Sequence, residues 1–149
     1  MEVFCKQILT ELLQTAGFLG SVQVKSKDKS RLSLDIVDSG GDSSRIIGKS
    51  GVTLDSFQLL LRHFVIRKFQ VYLYIVIDVD GYRQRRYDSI KSIALEAADT
   101  LSNSGDSVTL NSMTASERSI VHVLFENNES IFTESEGRGK NRRVVLVRK

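Results

Sequence analysis

The chain has no proline at all and a single cysteine among its 149 residues. Without proline there is no proline-rich linker, so the flexible candidates are Ser39-Gly40-Gly41-Asp42-Ser43-Ser44 and Ser102-Asn103-Ser104-Gly105-Asp106, both reading as surface loops. The lone Cys5 excludes an internal disulfide and is expected to pack as a small apolar residue. With only two histidines beside it there is no zinc site, and no metal or other cofactor is expected. No run approaches the roughly 18 apolar residues of a membrane-crossing helix. Glu2, Lys6 and Glu11 also interrupt the first apolar segment, where a signal peptide would be continuous. A cytoplasmic location is the simplest expectation. Apolar residues at 41% and charged residues at 26% are ordinary for a globular chain of one domain or two small ones.

Periodicity supplies an element order. Val3, Phe4, Ile8, Leu9, Leu12 and Leu13 mark an amphipathic first helix ending near Gly17, and Val22 with Val24 a short strand. Arg31 to Val37 alternates as a strand with Leu32, Leu34 and Ile36 inward. Ser43 or Ser44 can cap a one-turn helix holding Ile46 and Ile47. Leu54, Phe57, Leu60, Leu61, Phe64 and Val65 then form one buried helical stripe. Val71 to Val79 reads as a strand, with Val71, Leu73, Ile75, Ile77 and Val79 inward and Tyr72 and Tyr74 outward, where packing against the second domain is expected and stacking on bases is the alternative. His63 is expected to be structural or partly exposed.

Between the short helix and the long one lies Ile46-Ile47-Gly48-Lys49-Ser50-Gly51. A side chain at Gly48 or Gly51 would hold a ligand away from the main chain, and glycine tolerates either sign of φ in so tight a turn. Lys49 adds a cation and Ser50 a hydroxyl. The nucleotide-cradling loop needs a glycine five positions before Gly-Lys-Ser, but that position is Ser43. On its own residues the tetrapeptide is either a phosphate clamp or the corner between two helices.

In the second half, Tyr82 to Ser102 reads as a long helix with Ile90, Ala94, Ala97 and Leu101 on one stripe, and Ser107 to Leu110 as a strand. Thr114-Ala115-Ser116-Glu117 fits a capping box opening a helix from Ala115 to Phe125. Arg118 and His122 lie one turn apart on it, with Ile120, Val121, Leu124 and Phe125 toward the core. An exposed arginine and histidine at this spacing can grip a phosphate, or can simply be solvated. Ile131 to Glu134 and Arg143 to Val147 look like two strands around Gly137-Arg138-Gly139-Lys140.

The order helix, strand, strand, helix, glycine loop, helix, strand resembles a type II KH domain over about residues 1–80. The carrying residues are Ile46-Ile47-Gly48-Lys49-Ser50-Gly51 and Val52-Thr53-Leu54. Residues 81–149, with Arg118 and His122 separated by three residues, resemble the single-stranded nucleic-acid-binding domain named for that Arg-three-His spacing. The two in tandem, joined by Asp78-Val79-Asp80-Gly81-Tyr82-Arg83, are similar to the Jag family, also called KhpB or SpoIIIJ-associated proteins. The resemblance implies an α+β fold of two small domains. It also implies a bacterial single-stranded RNA-binding protein and not an enzyme, acting as an RNA chaperone or post-transcriptional regulator linked to cell-wall homeostasis, cell shape and division.

The binding residues implied are Ile47, Gly48, Lys49, Ser50 and Gly51, which hold backbone, with Arg118 and His122. The expected partners are single-stranded RNA and a small KH-only protein of the KhpA type, with single-stranded DNA and a homodimer kept open. Many members carry an additional N-terminal domain, and this chain is expected to begin almost at the first KH helix. They also have a Met-Asn-Pro-Tyr-Glu-type run where this chain has Met113-Thr114-Ala115-Ser116-Glu117.

Charge is consistent with that reading: 21 lysines and arginines against 18 acids give a net +3. Arg138, Lys140, Arg142, Arg143, Arg148 and Lys149 fall in an acid-free terminal stretch, and Arg138, Arg142 and Arg143 join the expected RNA contacts. Arg83, Arg85, Arg86 and Lys91 form a second cluster, also expected to track phosphates. Two other readings stay open. A ribonuclease would use His122 with Glu117 or Glu126 as acid and base, and a protein adaptor would carry a vestigial loop.

Overall fold

A central strand of nearly unbroken burial organises the first part of the chain. In the computed structural model, which describes residues 1–28 and 30–149, strand β2 (Arg31–Val37) pairs antiparallel with β1 (Ser21–Lys27) and parallel with β3 (Tyr74–Val79). A parallel pair requires a crossover, supplied by helix α2 (Ser43–Ile47), a 3-10 turn at Lys49–Gly51 and helix α3 (Val52–Phe69). Helix α1 (Glu2–Thr15) precedes the sheet. Leu32, Leu34, Ile36, Ile75, Ile77 and Val79 of the sheet pack against Cys5, Leu9 and Leu13 of α1 and Leu54, Phe57, Leu61 and Val65 of α3. Cys5 is buried as expected, and burial pushes its thiol pKa up. The resulting unit runs from Met1 to Arg83 and the second from Gln84 to Lys149, so the fold is mixed α+β.

Four local expectations are corrected. Val3 lies off the apolar seam and is 79% exposed, because Cys5, Leu9 and Leu13 at four-residue spacing set the buried face. On α3 the buried stripe is Leu54, Phe57, Leu61 and Val65, leaving Leu60 and Phe64 at its margin, 44% and 42% exposed. Strand β3 starts at Tyr74 and not at Val71. Asp28 Oδ1 accepts from the amides of Ser30 and Arg31, and pairing with β2 begins where Tyr74 N–H donates to Ser30 O and Arg31 registers with Tyr74. Helix α2 has Asp42 at its N-cap position without a side-chain cap, while Ser43 Oγ bonds Ser39 Oγ and Asp80 Oδ2 at 2.5 and 2.8 Å. That contact buries Ser39, which a surface loop would have exposed.

In the second unit β6 (Arg143–Arg148) lies between β4 (Ser107–Thr109) and β5 (Ile131–Glu136), antiparallel to both. Helix α4 (Tyr82–Ser104) supplies Ile90, Ala94, Ala97 and Leu101, and α5 (Ala115–Phe125) supplies Val121 and Phe125, to a core shared with Leu110, Ile131, Val144 and Leu146. The capping box forms as expected: Glu117 N–H donates to Thr114 Oγ1 at 3.4 Å, and Thr114 N–H donates to Glu117 Oε2 at 2.7 Å. Replacing Leu61 with alanine should lower unfolding free energy by about 2–5 kcal/mol. The same change at exposed Val3 should stay within about 0.5 kcal/mol. Urea unfolding followed by circular dichroism measures both.

Candidate nucleic-acid interface

Gly48 ends α2, its N–H donating to Ser44 O at 2.9 Å, with φ 71° and ψ −177°. This region is open essentially to glycine alone. A β-carbon there would also run into the Thr53 side chain. Ser50 follows at φ 52° and Gly51 at φ 81°, and the Gly51 N–H closes the turn onto Gly48 O at 3.3 Å. Lys49 stands exposed at the apex. Ile46 is buried and Ile47 packs on the core beside it, so the apolar pair fastens the loop from one side. Helix α3 begins at once with Val52, whose N–H donates back to Lys49 O, so the positive end of the helix lies against the loop.

The loop is braced by residues that helical and strand periodicity did not place there. A β-carbon at Gly51 would meet Tyr82 Cε1 at 3.2 Å, so that ring lies along the buried side of the turn. Arg83 donates through Nε to Ile77 O at 2.7 Å and through Nη2 to Asp55 Oδ1 and Gln58 Oε1 at 2.9 and 3.0 Å. Gln58 Oε1 also accepts from Ile77 N at 3.1 Å. This clasp ties β3 to the first turns of α3 and so fixes the helix that carries the loop. Arg83 is therefore a strut, which corrects its expected place in a phosphate-tracking cluster. Arg86 is withdrawn in the same way, its Nε donating to the buried Glu117 carboxylate at 2.6 Å. Arg148 Nη2 donates to the carbonyls of Leu101 and Ser102 at the end of α4, and Lys149 Nζ to Asn128 O at 2.7 Å.

In the second unit Arg118, His122 and Arg142 come together. Met113 links two of them: its carbonyl accepts from Arg118 Nη1 at 2.9 Å, and its N–H donates to Arg142 O at 3.2 Å. Arg118 and His122 are half-buried where the sequence led us to expect an exposed pair. His122 Nδ1 lies 2.9 Å from Thr133 Oγ1 and Nε2 lies 2.8 Å from Ser135 Oγ. A neutral ring fits this arrangement, donating to one hydroxyl and accepting from the other. Burial, and then the charges of Arg118 and Arg142, hold the pKa below the ordinary histidine value. Both nitrogens are thus engaged, leaving the fixed cations to the two arginines. Arg138 and Arg143 are exposed on the β5–β6 hairpin. Glu117, the imagined partner base, is committed to Arg86 and Thr114. Thr133 and Ser135 were missed, and the signal for them was hydroxyls two apart on a strand, which face the same way.

Residues 88–148 match the Arg-three-His domain family, nearly the whole second unit, so the chain is an Arg-three-His domain protein. It is 33% identical over 107 residues to the RNA-binding protein KhpB of Clostridium symbiosum, covering 72% of this chain and 48% of that one. Identity to the protein of that name from Lactiplantibacillus plantarum is 35% over 102 residues, covering 68% and 32%, and to that from Bacillus subtilis 31% over 112 residues, covering 74% and 54%. The chain belongs to the KhpB, or Jag, family. It spans between about a third and about half the length of these relatives. Among the described residues no helix is long and apolar enough to cross a membrane.

Two outcomes follow. Gly48→Ala should destabilise by more than Gly17→Ala. Gly17 has nearly the same φ, 73°, but nothing lies within 4 Å of where its β-carbon would sit, so it carries only the backbone cost of about 1–2 kcal/mol. Their difference in urea unfolding reports the Thr53 collision together with the added backbone cost of the Gly48 ψ of −177°. Because the His122 pKa is lowered on folding, the unfolded chain takes up the proton first as pH falls. The histidine's contribution is complete above the ordinary histidine range and is lost as pH drops through the depressed folded value. Unfolding midpoints taken from pH 7.5 down to about 5.5 should fall more steeply for the native chain than for His122→Asn.

Proposed function

We propose that the chain binds single-stranded RNA and that residues 1–80 form a type II KH domain, followed by the Arg-three-His domain at 81–149. One observation carries the reading: the Gly48–Gly51 turn sets an exposed Lys49 beside a helix N-terminus, between a partly exposed Gly48 and a partly exposed Ser50. A sugar-phosphate backbone fits such a site, because it offers negative charge at close range and requires no side chain to be cleared. The names of the relatives support RNA as the ligand.

Ile47, Gly48, Lys49, Ser50 and Gly51 hold a short run of backbone in this reading. Arg118 and Arg142, oriented through Met113 and next to His122, hold further phosphate, and Arg138 and Arg143 extend the cationic surface. Sequence-tolerant contact of this kind suits an RNA chaperone or post-transcriptional regulator in the bacterial cytoplasm. Links to cell-wall homeostasis, cell shape and division belong to the same proposal. Exposed Leu59, Leu60 and Phe64 on α3 support a protein partner, for which the small KH-only KhpA type is the expected one. The reading is binding and not catalysis.

Lys49→Asp with Ser50→Asp sets like charge against the ligand without straining the turn, since aspartate is among the residues that tolerate the Ser50 φ of 52°. Gel-shift affinity for single-stranded RNA at physiological salt should fall about tenfold or more. Undiminished retention would sink the reading, and RNA cleavage lost on His122→Ala would favour the ribonuclease instead.

A further inference from the structure

Helix α3 carries the chain from the glycine loop to the opposite end of the first unit, where Gln70 at φ 55° closes it and the chain turns back into β3. There Ser30, Arg62, Tyr72, Leu73 and Tyr74 line a cavity of about 320 Å³, at the low end of the roughly 300–1,000 Å³ typical of small-ligand sites. From Gly51 to Arg62 the path along α3 is about 16 Å, at about 1.5 Å per residue. The cavity is thus separate from the loop.

Its chemistry is specific. Tyr72 is 89% exposed and Tyr74 58%, a costly way to leave two large rings unless something covers them. Arg31, registered opposite Tyr74 across β2 and β3, sets its guanidinium 5.5 Å from the Tyr74 ring centroid. Arg62 contributes a second cation whose Nε is buried with no hydrogen-bond partner among the described residues, a donor that a native structure normally satisfies. Two exposed rings and the Arg62 guanidinium with its unsatisfied donor around one concavity, and the Arg31 guanidinium against the Tyr74 ring, match a flat heteroaromatic group that bears acceptors and is attached to a phosphate. Asp28, the acid nearest in sequence, is engaged in accepting from the amides of Ser30 and Arg31.

We propose that this cavity is a second nucleic-acid subsite, which stacks a base of the same strand on Tyr72 and Tyr74 while Arg62 and Arg31 face its acceptors and phosphate. The inference rests on the RNA-binding reading and extends it. The loop holds about four nucleotides by backbone, and bases further along the strand reach the tyrosines, where stacking tolerates any sequence.

Fluorescence anisotropy on the full chain tests it, with one RNA of about 4 nucleotides and one of about 16. Tyr72→Ala and Tyr74→Ala should each weaken the longer RNA by about tenfold and leave the shorter one unchanged. Tyr72→Phe should bind as the native chain does, because stacking uses the ring and not the hydroxyl. A 2-aminopurine placed in the longer RNA should be quenched by the native chain and by Tyr72→Phe, and not by Tyr72→Ala. So exposed a side chain is removable without unfolding, and circular dichroism checks this. If both alanine variants bind the longer RNA like the native chain, the subsite is wrong while the loop reading stands. If the native chain binds neither RNA, both fall.

Discussion

The first unit's candidate site depends on a β-carbon that is not there. Gly48 adopts a backbone closed to other residues, and the space a side chain would need is already filled by Thr53. From this the rest follows in sequence. The chain can leave α2 at Ile47 and start α3 at Val52 with four residues between, Ile46 buried before the turn and Leu54 entering the core after it. Tyr82 behind Gly51 and the Arg83 clasp then brace the turn from the other side, so its supports are contacts within the protein and not with a ligand. A preformed site avoids the ordering cost that a mobile one would incur on binding.

Charge matters here through its distribution and not its total. A net +3 is small, and several of the cations are structural. Glu117 shows how strongly: at 5% exposure its carboxylate takes Arg86 on one oxygen and the Thr114 N–H on the other. Removing it would strand both donors, a loss on the order of 3–5 kcal/mol. The Lys27–Glu2 pair, exposed on both sides, contributes at most about 1 kcal/mol. Among the described residues, Arg138, Lys140, Arg142 and Arg143 stay exposed to a ligand on the hairpin of the second unit, as do Arg85 and Lys91 on α4.

Legibility in the sequence followed the strength of the local signal. β2, α5 and its capping box were readable because alternation, helical period and cap chemistry all agree there. The start of β3 was not, since Val71-Tyr72-Leu73 alternates as well as any strand and only the pairing with β2, which begins where Arg31 registers with Tyr74, sets it. The glycine loop was visible as a motif, while its supports were not. Tyr82 and Arg83 look like the opening of a basic helix, and only the tertiary fold turns them back onto Gly51 and Ile77. His122 was found by its spacing, but the hydroxyls of Thr133 and Ser135 that engage it lie a strand away, beyond any helical period.

The Arg83 clasp has a consequence for solubility. β3 is an edge strand, and an unpaired edge invites another chain to add a strand to the sheet. Both polar groups of the Ile77 peptide position are already occupied, the N–H by Gln58 and the carbonyl by Arg83, and the Val79 N–H is taken by Asp78. At Ile77 an incoming strand would have to displace a charged, multiply bonded guanidinium before a ladder bond could form there. The same contacts that steady the loop therefore shield this side of the sheet from unwanted self-association.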